Sequence, residues 1–462
     1  IPLYKKDDPK YFSNYRPISL LCALSKLFER VIFNQLYEFF HSKKLFYCSQ
    51  YGFRKGHSTE YATIEFIDKI ITEIEKGEVP VAIFLDLSKA FDTLNHDILL
   101  SKLHYYGIQD TEQALFETYL TGRKQYVDLD GIESDMITIQ TGVPQGSILG
   151  PLLFLIYMND FPFASNLFQF TLYADDTSIF GTIKGFDNSS DKFNTELKKI
   201  SDWLKLNMLS LNVKKTKCMT FHNRQKRVVQ PSLILDGSAI EYVESFNFLG
   251  ITLDEHLNFK SHIDKISIKV SRAVGIMNRL KHFLPTITLK LLYNSILLPH
   301  LNYGILLWGN NVKRLKILQK RAVRIMNKSK YNSHTMPLFK EHNFLTIEDL
   351  YKLNLLKFYH KFCNSQLPDY LQQLPFHPNA DTHSHNTRSC RKLHLENFKT
   401  VLAQNSVRHM IPHVVNKCPD LIISKVSTHS LHGFACYAKK YFVDQYDPIC
   451  HLANCYICQN TL

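Results

Sequence analysis

The sequence lacks any apolar stretch long enough to cross a membrane. A spanning helix needs about 20 apolar residues, whereas Leu152–Met158 is too short and Ile296–Trp308 is interrupted by Pro299. The sequence predicts no signal peptide, and the ten cysteines are scattered along 462 residues. We therefore expect reduced thiols rather than a disulfide framework, a location in the nucleus and cytoplasm, and no membrane partner.

Acidic residues are also missing from a long part of the chain. No aspartate or glutamate lies between Asp264 and Glu341, while lysine and arginine recur throughout, and the formal net charge of the chain is +13. This balance favours a polyanionic partner, nucleic acid before membrane, over a merely solvated basic surface. A helix predicted near Val312–Lys328 has an apolar stripe and a basic face suited to the phosphates of a duplex. The basic candidates are Arg314, Lys316, Lys320, Arg321 and Arg324.

Finally, the sequence has no initiator methionine, no internal repeat and no low-complexity tract. Because it begins at Ile1 in a strand-like segment, we expect a fragment of a longer polypeptide. Its 462 residues, 45% of them hydrophobic, are enough for two or three packed units. Strand and helix patterns alternate up to about residue 255, where Tyr126–Leu129 and Met136–Ile139 around Asp130–Gly131 predict a hairpin. The pattern is helical from about Lys260, with one of the predicted helices near Thr286–Leu298. A domain boundary is therefore predicted between the two parts.

What the sequence does contain is a pair of carboxylates at a predicted turn. Asp175 and Asp176 lie between two short apolar strands, Phe168–Leu172 and Thr177–Gly181. Adjacent carboxylates repel each other and lose solvation there, so they favour a neutralising cation. Taken alone, the motif fits an ordinary aspartate-rich hairpin turn equally well. Asp86 shifts the balance towards a site, because it ends a second apolar strand, Val81–Leu85.

Two strands that end in carboxylates can lie side by side in one sheet and present three oxygen donors. Magnesium is bound by one or two carboxylates together with substrate phosphates. A pair of such ions activates an attacking hydroxyl and stabilises a leaving pyrophosphate, as nucleotidyl transfer requires. Asp86, Asp175 and Asp176 are therefore the candidate catalytic and metal-binding residues, for two Mg²⁺ ions with Mn²⁺ as a substitute.

Three polar loops supply further candidates. In Gln50–Thr59, glycines let the backbone approach a ligand closely, and Arg54 is placed to grip phosphate. In Gly142–Pro151, glycines lie on both sides of Gln145, which indicates a contact to a flat group such as a base or sugar. A lysine run in Leu211–Phe221 could serve departing pyrophosphate. Each loop also fits a simpler interpretation, as a solvated turn or as the cap of a buried helix.

Beyond about Thr346 the pattern is weaker. One helix is predicted near Ile347–Cys363, and Leu374–Asn386 indicates a linker with proline, histidine and asparagine. Four zinc-type donors stand near the end, at Cys450, His451, Cys455 and Cys458. Their spacing leaves little chain for a closed zinc knuckle, so we expect ordinary thiols there and no zinc.

In their order along the chain, these motifs resemble the reverse transcriptase of non-LTR (LINE-type, jockey-like) retrotransposons. Seven segments resemble successive fingers and palm motifs of that family, namely Asn14–Leu21, Gln50–Thr59, Phe84–Asp92, Gly142–Pro151, Tyr173–Asp176, Leu211–Phe221 and Phe248–Ile251. Asn302–Gly304 with Trp308, and Leu318–Ala322, resemble its thumb. Seven motifs in the right order are far more specific than any single one.

The resemblance implies an α+β right-hand polymerase fold. Residues 1–255 would form fingers and palm, built of an antiparallel sheet with helices, and residues 256–345 a helical basic thumb. The role of 346–462 and the oligomeric state stay open. The implied activity is RNA-directed DNA synthesis, which extends a DNA primer on an RNA template with dNTPs by two-metal nucleotidyl transfer.

The resemblance also implies roles for single residues. Asp86 and Asp175 would bridge the two metal ions, with Asp176 a less certain direct ligand. Phe91 would be the steric gate that crowds a ribose 2′-hydroxyl and so selects deoxynucleotides. The other implied contacts are Gln145 to the incoming nucleotide, Arg54 to its triphosphate, and Lys215 or Lys217 to the leaving group.

Two alternatives remain open from the sequence. RNA-directed RNA synthesis would use the same two-metal chemistry, although Phe91 argues against it. An inactive transposon relic that binds nucleic acid without polymerising is the alternative from a different class. The endonuclease that precedes the polymerase in this family is not in the sequence, so we expect that this chain alone does not nick a target.

Overall fold

A computed structural model describes residues 1–5, 8–183, 189–224, 228, 230–381 and 390–447. The chain divides into two compact units. The first contains Ile1–Ala62, Glu78–Thr220 and Gln225–Val243, and the second contains Thr63–Gly77, Phe221–Arg224 and Glu244–Leu462. Within the described ranges, no helix is both long and apolar enough to cross a bilayer.

The first unit combines helices with short strands. Its helices are α1 (Ala23–Ser42), the start of α2 (Thr59–Glu75), α3 (His96–Tyr105), α4 (Asp110–Leu120), α5 (Gly150–Met158) and α6 (Ser189–Leu206). Its strands are β1 (Pro2–Tyr4), β2 (Tyr15–Pro17), β3 (Val79–Leu85), β4 (Lys124–Gln125), β5 (Asp128–Leu129), β6 (Ile132–Glu133), β7 (Ile137–Thr138), β8 (Gln169–Tyr173), β9 (Asp176–Ile183), β10 (Lys217–Thr220), β11 (Ile234–Leu235), β12 (Ser238–Ala239) and β13 (Glu241–Tyr242).

A five-stranded sheet forms the centre of this unit, in the order β13-β10-β3-β9-β8. The four strands from β10 to β8 pair antiparallel, and β13 adds a parallel pair at one edge. All seven residues of β3 are buried, so the sheet is covered on both faces, which explains its continuous apolar run. Helix α5 is apolar all round, and all its residues except the half-buried Pro151 are buried, as expected of a helix inside the core.

The predicted hairpin around Asp130–Gly131 is correct in its turn and wrong in its pairing. Both turn residues have positive φ, 53° at Asp130 and 85° at Gly131, which is the conformation of a tight two-residue hairpin. Such a turn joins β5 directly to β6. The segment predicted to pair there, Met136–Ile139, instead contributes β7, which pairs with β4.

The second unit is mainly helical. It contains most of α2, the hairpin β14 (Ser245–Phe248) and β15 (Ile251–Asp254), and the helices α7 (Lys260–Leu280), α8 (Thr286–Leu292), α9 (Leu298–Asn302), α10 (Ile305–Trp308), α11 (Lys313–Met326), α12 (Met336–Glu341), α13 (Ile347–Cys363), α14 (Asp369–Gln372), α15 (Val401–Gln404), α16 (Val407–Lys417), α17 (Asp420–Ile423) and α18 (Leu431–Asp444). A π-helical turn, Tyr293–Leu297, joins α8 to α9, so the single helix predicted over Thr286–Leu298 is interrupted. The sequence pattern did not reveal α16 and α18.

Helix α11 packs on α7 through the predicted apolar stripe. Leu315, Ala322 and Ile325 are buried. Gln319 lies fully buried in the same face, and its amide donates to the Tyr293 hydroxyl (2.9 Å) and the Leu345 carbonyl (2.9 Å). Its side-chain oxygen accepts the backbone N–H of Ile347 at 2.8 Å. These bonds satisfy polar groups that would otherwise be unpaired in the core.

The expected α+β class is confirmed by this mixture of sheet and helices and by the family match reported below. The three-part division at 255/256 and 345/346 stays a prediction. The compact units of the structure change between Val243 and Glu244 instead, because β15 packs with α7 and β14 pairs with β15. Cys450, His451, Cys455 and Cys458, and part of the predicted linker Leu374–Asn386, lie outside the described residues.

Candidate active site

The two adjacent aspartates lie at the hairpin between β8 and β9. Tyr173 pairs with Asp176, so the loop consists of only two residues, Ala174 and Asp175. Ala174 has a φ of 56°, in the left-handed region that residues with a Cβ atom rarely adopt. Asp175 and Asp176 are exposed as whole residues at this tight turn, although the Asp176 carboxyl is partly desolvated by its surroundings, while Ala174 stays buried.

Gln50 holds this turn from a neighbouring segment. Its side-chain oxygen accepts the backbone N–H of Ala174 (3.2 Å) and that of Gly52 (2.9 Å). The segment also pairs with β8, because Tyr51 N–H donates to the Leu172 carbonyl (2.8 Å) and Leu172 N–H to the Ser49 carbonyl (2.9 Å). Gln50 is only 2% exposed, so its amide is a structural brace of the hairpin.

Gly52 is required by this close approach. A Cβ atom at Gly52 would lie 2.3 Å from the backbone nitrogen of Ala174. The sequence correctly indicated that a glycine in Gln50–Thr59 allows a close backbone approach, but the partner is the aspartate turn. Sequence reasoning included Gln50 in this motif but gave it no role. The signal that could have found its role is a polar side chain two positions before this glycine.

Asp86 reaches the same edge of the sheet from the adjacent strand. Leu85, the last residue of β3, pairs with Thr177 of β9. The strands are antiparallel, so the residue after Leu85 lies opposite the residue before Thr177, which places Asp86 beside Asp176. The Asp86 carbonyl accepts the N–H of Asn212 at 2.8 Å. The register of the sheet therefore gathers the three aspartates that the sequence had separated.

Lys215 forms an ion pair with this group. Its Nζ lies 3.7 Å from Asp86 Oδ2, and its side chain is 68% exposed. An exposed pair at this distance contributes little to stability, about 0–1 kcal/mol. Lys217 is instead paired with Glu241 at 2.5 Å and donates to the Lys214 carbonyl at 2.8 Å.

Electrostatics mark the triad as a place of excess negative charge. Desolvation of its carboxyl, followed by the like charges of Asp175 and Asp86, raises the pKa of Asp176 to about 6. Hard carboxylate oxygens in this arrangement fit divalent cations such as Mg²⁺. In the described part of the chain, the group of His, Cys, Asp and Glu ligand atoms that all lie within 4.8 Å is at His222, Glu255 and His256. The three aspartates do not form such a group, so their carboxylate oxygens are spread more widely than 4.8 Å.

Phe91 and Gln145 lie on two segments that pack together in the first unit. The Phe91 ring stacks on Phe154, with centroids 4.3 Å apart and 26° between planes. The Phe91 carbonyl accepts the N–H of Val143 at 3.0 Å. Gln145 Nε2 donates to Asp92 Oδ1 at 2.7 Å. Both side chains are therefore fixed by protein contacts, and their proposed roles towards a nucleotide stay predictions.

Arg54 makes bonds within its own loop. Its Nη1 donates to the carbonyls of Tyr47 (3.0 Å) and Gln50 (3.2 Å), and its guanidinium lies 5.2 Å from the centroid of the Phe46 ring. The side chain is half-buried. In this structure Arg54 braces the segment that carries Gln50, and a contact to triphosphate stays a prediction.

The five basic residues of α11 differ in their surroundings in the second unit. Arg314 pairs with Asp264 at 2.9 Å, and Lys316 pairs with Glu348 at 2.6 Å. Arg324 Nε donates to the Ser333 carbonyl at 2.7 Å, and desolvation lowers its pKa and that of Lys320. Arg321 is exposed. Acidic partners thus balance part of this face, and its role in nucleic-acid binding stays a prediction.

Comparison with known proteins identifies the family to which this chain is similar. The family model described as reverse transcriptase (RNA-dependent DNA polymerase) matches residues 4–253. The chain is 30% identical to a probable RNA-directed DNA polymerase from transposon BS of Drosophila melanogaster, over 73% of this chain and 38% of the relative. It is 29% identical to the RNA-directed DNA polymerase from mobile element jockey of the same organism, over 80% of this chain and 40% of the relative. The chain therefore spans well under half the length of these curated relatives.

Among solved structures, apo telomerase from Candida Tropicalis aligns over 71% of this chain and 55% of that chain, with 14% identity and a TM-score of 0.39. The family match extends over more than half of the 462 residues and includes Asp86, Asp175 and Asp176. The resemblance expected from the ordered motifs is confirmed, and the reverse transcriptase family uses divalent metal ions. The chain belongs to the reverse transcriptase (RNA-dependent DNA polymerase) family, among the relatives found in jockey-like non-LTR retrotransposons.

Proposed function

We propose that this chain is an RNA-directed DNA polymerase that extends a DNA primer on an RNA template with dNTPs. The observation that carries the proposal is the register of the sheet, which brings Asp86 at the end of β3 beside the turn of Asp175 and Asp176. Three carboxylates on adjacent strand ends, in a chain of this family, are the donor set that nucleotidyl transfer needs.

Asp86, Asp175 and Asp176 would hold two Mg²⁺ ions, for which Mn²⁺ can substitute. When bound, the ions supply activation of the attacking 3′-hydroxyl and charge stabilisation at the leaving pyrophosphate. The protein contributes the position of its carboxylates, which the β8–β9 turn and the end of β3 fix before any substrate arrives. Lys215, 3.7 Å from Asp86 and exposed, would provide a positive charge for the leaving group.

Phe91 would select deoxynucleotides by occupying the space that a 2′-hydroxyl needs. Its stacking on Phe154 at 4.3 Å fixes the ring, and a fixed ring discriminates by steric exclusion better than a mobile one. Gln145, held by Asp92, would contact the same nucleotide, and Arg54 its triphosphate. We expect Phe91→Ala to incorporate ribonucleotides at a clearly higher ratio to deoxynucleotides than the wild type does. An unchanged ratio would remove Phe91 from the gate and reopen RNA-directed RNA synthesis.

The basic face of α11 would bind the phosphates of the template and primer duplex. Arg321 is exposed, and Arg314 is exposed beside its partner Asp264, so both can exchange their present surroundings for phosphate. Lys316, Lys320 and Arg324 would add to the same field. Such contacts make binding fall steeply with salt. A polymerase of this kind would act in the nucleus and cytoplasm.

The experiment that tests the function is primer extension by the purified chain on poly(rA) with oligo(dT), dTTP and Mg²⁺. Asp86→Ala and Asp175→Ala are compared with Asp202→Ala, which removes an exposed carboxylate of α6. Loss of one carboxylate from a two-metal site should raise the barrier by about 4 kcal/mol, or lower the rate roughly 1000-fold. Asp202→Ala should extend like the wild type.

Binding to the same primer and template is measured alongside extension. Retained binding with lost extension in Asp86→Ala and Asp175→Ala would support the enzyme. Salt-sensitive binding by the wild type without any extension would instead support the alternative of an inactive transposon relic. Equal extension by the wild type and the two variants would contradict the assignment of the triad.

A further inference from the structure

A cluster of two histidines and a glutamate in the second unit has no part in the proposed polymerase chemistry. His222 lies in the segment Phe221–Arg224, and Glu255 and His256 follow β15 directly. His222 Nε2 is 3.8 Å from one carboxylate oxygen of Glu255, and His256 Nε2 is 3.4 Å from the other. One ligand atom from each residue lies within 4.8 Å of the other two. The side chains are partly buried, with exposed fractions of 17%, 35% and 23% for His222, Glu255 and His256.

The hydrogen bonds of both rings orient their free nitrogens towards the glutamate. His222 Nδ1 lies 3.0 Å from the Asn223 carbonyl, and His256 Nδ1 lies 3.1 Å from the His222 carbonyl. A carbonyl oxygen can only accept, so each Nδ1 carries the hydrogen, and Nε2 keeps its lone pair in the neutral ring. This backbone bond to one ring nitrogen is the outer-shell contact that metal-binding histidines make.

The arrangement calls for a shared positive charge. Two Nε2 lone pairs that face carboxylate oxygens are acceptors opposed to acceptors, unless a proton or a cation lies between them. The two rings are close together, with centroids 4.9 Å apart. One divalent cation bound by the three ligand atoms satisfies all of them together.

The backbone around the cluster is fixed. Asp254 Oδ1 accepts the N–H groups of His256 (3.1 Å) and Asn258 (3.2 Å), and its other oxygen accepts that of Phe259 (3.0 Å). His222 N–H donates to the Glu255 carbonyl at 3.1 Å. The turn after β15 is therefore held in place by groups other than the three ligands, so a metal ion would find its donors already positioned.

We propose that His222, Glu255 and His256 form a binding site for Zn²⁺ that clips the segment Phe221–Arg224 to the turn after β15. Two imidazole nitrogens and one carboxylate oxygen are a donor set that zinc uses, whereas Mg²⁺ prefers oxygen alone. Three protein ligands complete a tetrahedron with one water. The aspartates of the first unit offer only oxygen, so the two sites select different metals.

The test measures Zn²⁺ binding to the full chain by competition with a chromophoric chelator, in millimolar Mg²⁺ so that oxygen sites are occupied. All proteins carry Cys450→Ser, Cys455→Ser and Cys458→Ser, which removes the terminal thiols as zinc ligands. We expect one zinc ion per chain. His222→Ala and His256→Ala should weaken it by roughly tenfold or more, and Co²⁺ should give tetrahedral visible bands without a thiolate charge-transfer band.

The matched control is His104→Ala, which removes an exposed histidine of α3 and should bind zinc like the reference. Glu255→Gln keeps the shape of the side chain and removes its charge, so it tests the site if either alanine variant fails to fold. Circular dichroism without metal checks folding in each case. Zinc affinity that is the same in the reference, His222→Ala and Glu255→Gln would overturn the proposal, as would the absence of stoichiometric binding to the reference.

Discussion

The brace that Gln50 provides for the aspartate turn leads to a sharp prediction. Gln50→Met keeps the length and volume of the side chain but removes the oxygen that accepts the N–H groups of Gly52 and Ala174. Both of those residues are buried, so water does not readily replace the lost acceptor. The change leaves the three aspartates themselves untouched.

The expected loss of stability follows from the two backbone N–H groups, of Gly52 and Ala174, that lose their acceptor. A buried N–H without a partner costs about 1–3 kcal/mol, and the bond to Ala174 is long at 3.2 Å, so we expect a loss of stability of about 2–3 kcal/mol. Ala174 is already held at a φ of 56°, which costs of order 1 kcal/mol or more, and the released turn should relax. A displacement of Asp175 by about 1 Å can lower the rate of the chemical step roughly 100-fold.

The assay is steady-state primer extension with dTTP at several Mg²⁺ concentrations, together with thermal unfolding. We expect kcat to fall roughly 10- to 100-fold and the Mg²⁺ requirement to rise, while the KM for dTTP changes little. Gln125→Met, on the exposed strand β4, is the matched control and should match the wild type in every measurement. Wild-type kcat and Mg²⁺ dependence in Gln50→Met would refute the role assigned to this amide.

Two further predictions concern the second unit, and both can be followed through the fluorescence of Trp308 in a Trp203→Phe background, since the chain has only two tryptophans. Gln319→Leu should lower the free energy of unfolding by about 3 kcal/mol, because it leaves three buried polar groups without a hydrogen-bond partner. The control is Lys313→Leu, at an exposed position of α11. An equal effect of the two substitutions would contradict the role of these hydrogen bonds. His262 accepts the N–H of Thr252 through Nδ1, and burial, then the nearby charges of Lys265 and Lys269, lower its pKa to about 4. As the pH falls, His262 is protonated near pH 6.5 in the unfolded chain, before it is protonated in the folded chain. The free energy of unfolding is therefore greatest above pH 6.5 and should fall by about 3 kcal/mol between pH 6.5 and 4. In urea unfolding at several pH values, His262→Gln should remove this dependence of the free energy of unfolding on pH. An unchanged dependence on pH would contradict the assignment.

Local patterns in the sequence went far in predicting the elements. The apolar run Val81–Leu85 lies within β3, and Ile347–Cys363 forms α13 with the predicted bounds. In both cases burial of a strand or of one helical face leaves a periodic trace in neighbouring residues. The hairpin at Asp130–Gly131 shows a limit of such patterns. The turn was predicted correctly, but the short exposed strands beside it leave no burial pattern that tells whether β5 pairs with β6 or with β7.

The sequence by itself identified the three aspartates, their positions at the ends of strands, and the family whose ordered motifs include them. Only the tertiary structure decided which backbone groups hold them, since Gln50 and Ala174 are 124 residues apart and no periodic pattern links them. The same holds for His222 with Glu255 and His256, which lie on separate segments and meet only when β15 and its turn are in place. Hydrogen bonds and metal ligation require positions accurate to a fraction of an ångström, and packing between distant segments fixes those positions. Burial of one face of a helix or strand, in contrast, leaves a periodic pattern in neighbouring residues that the sequence shows directly.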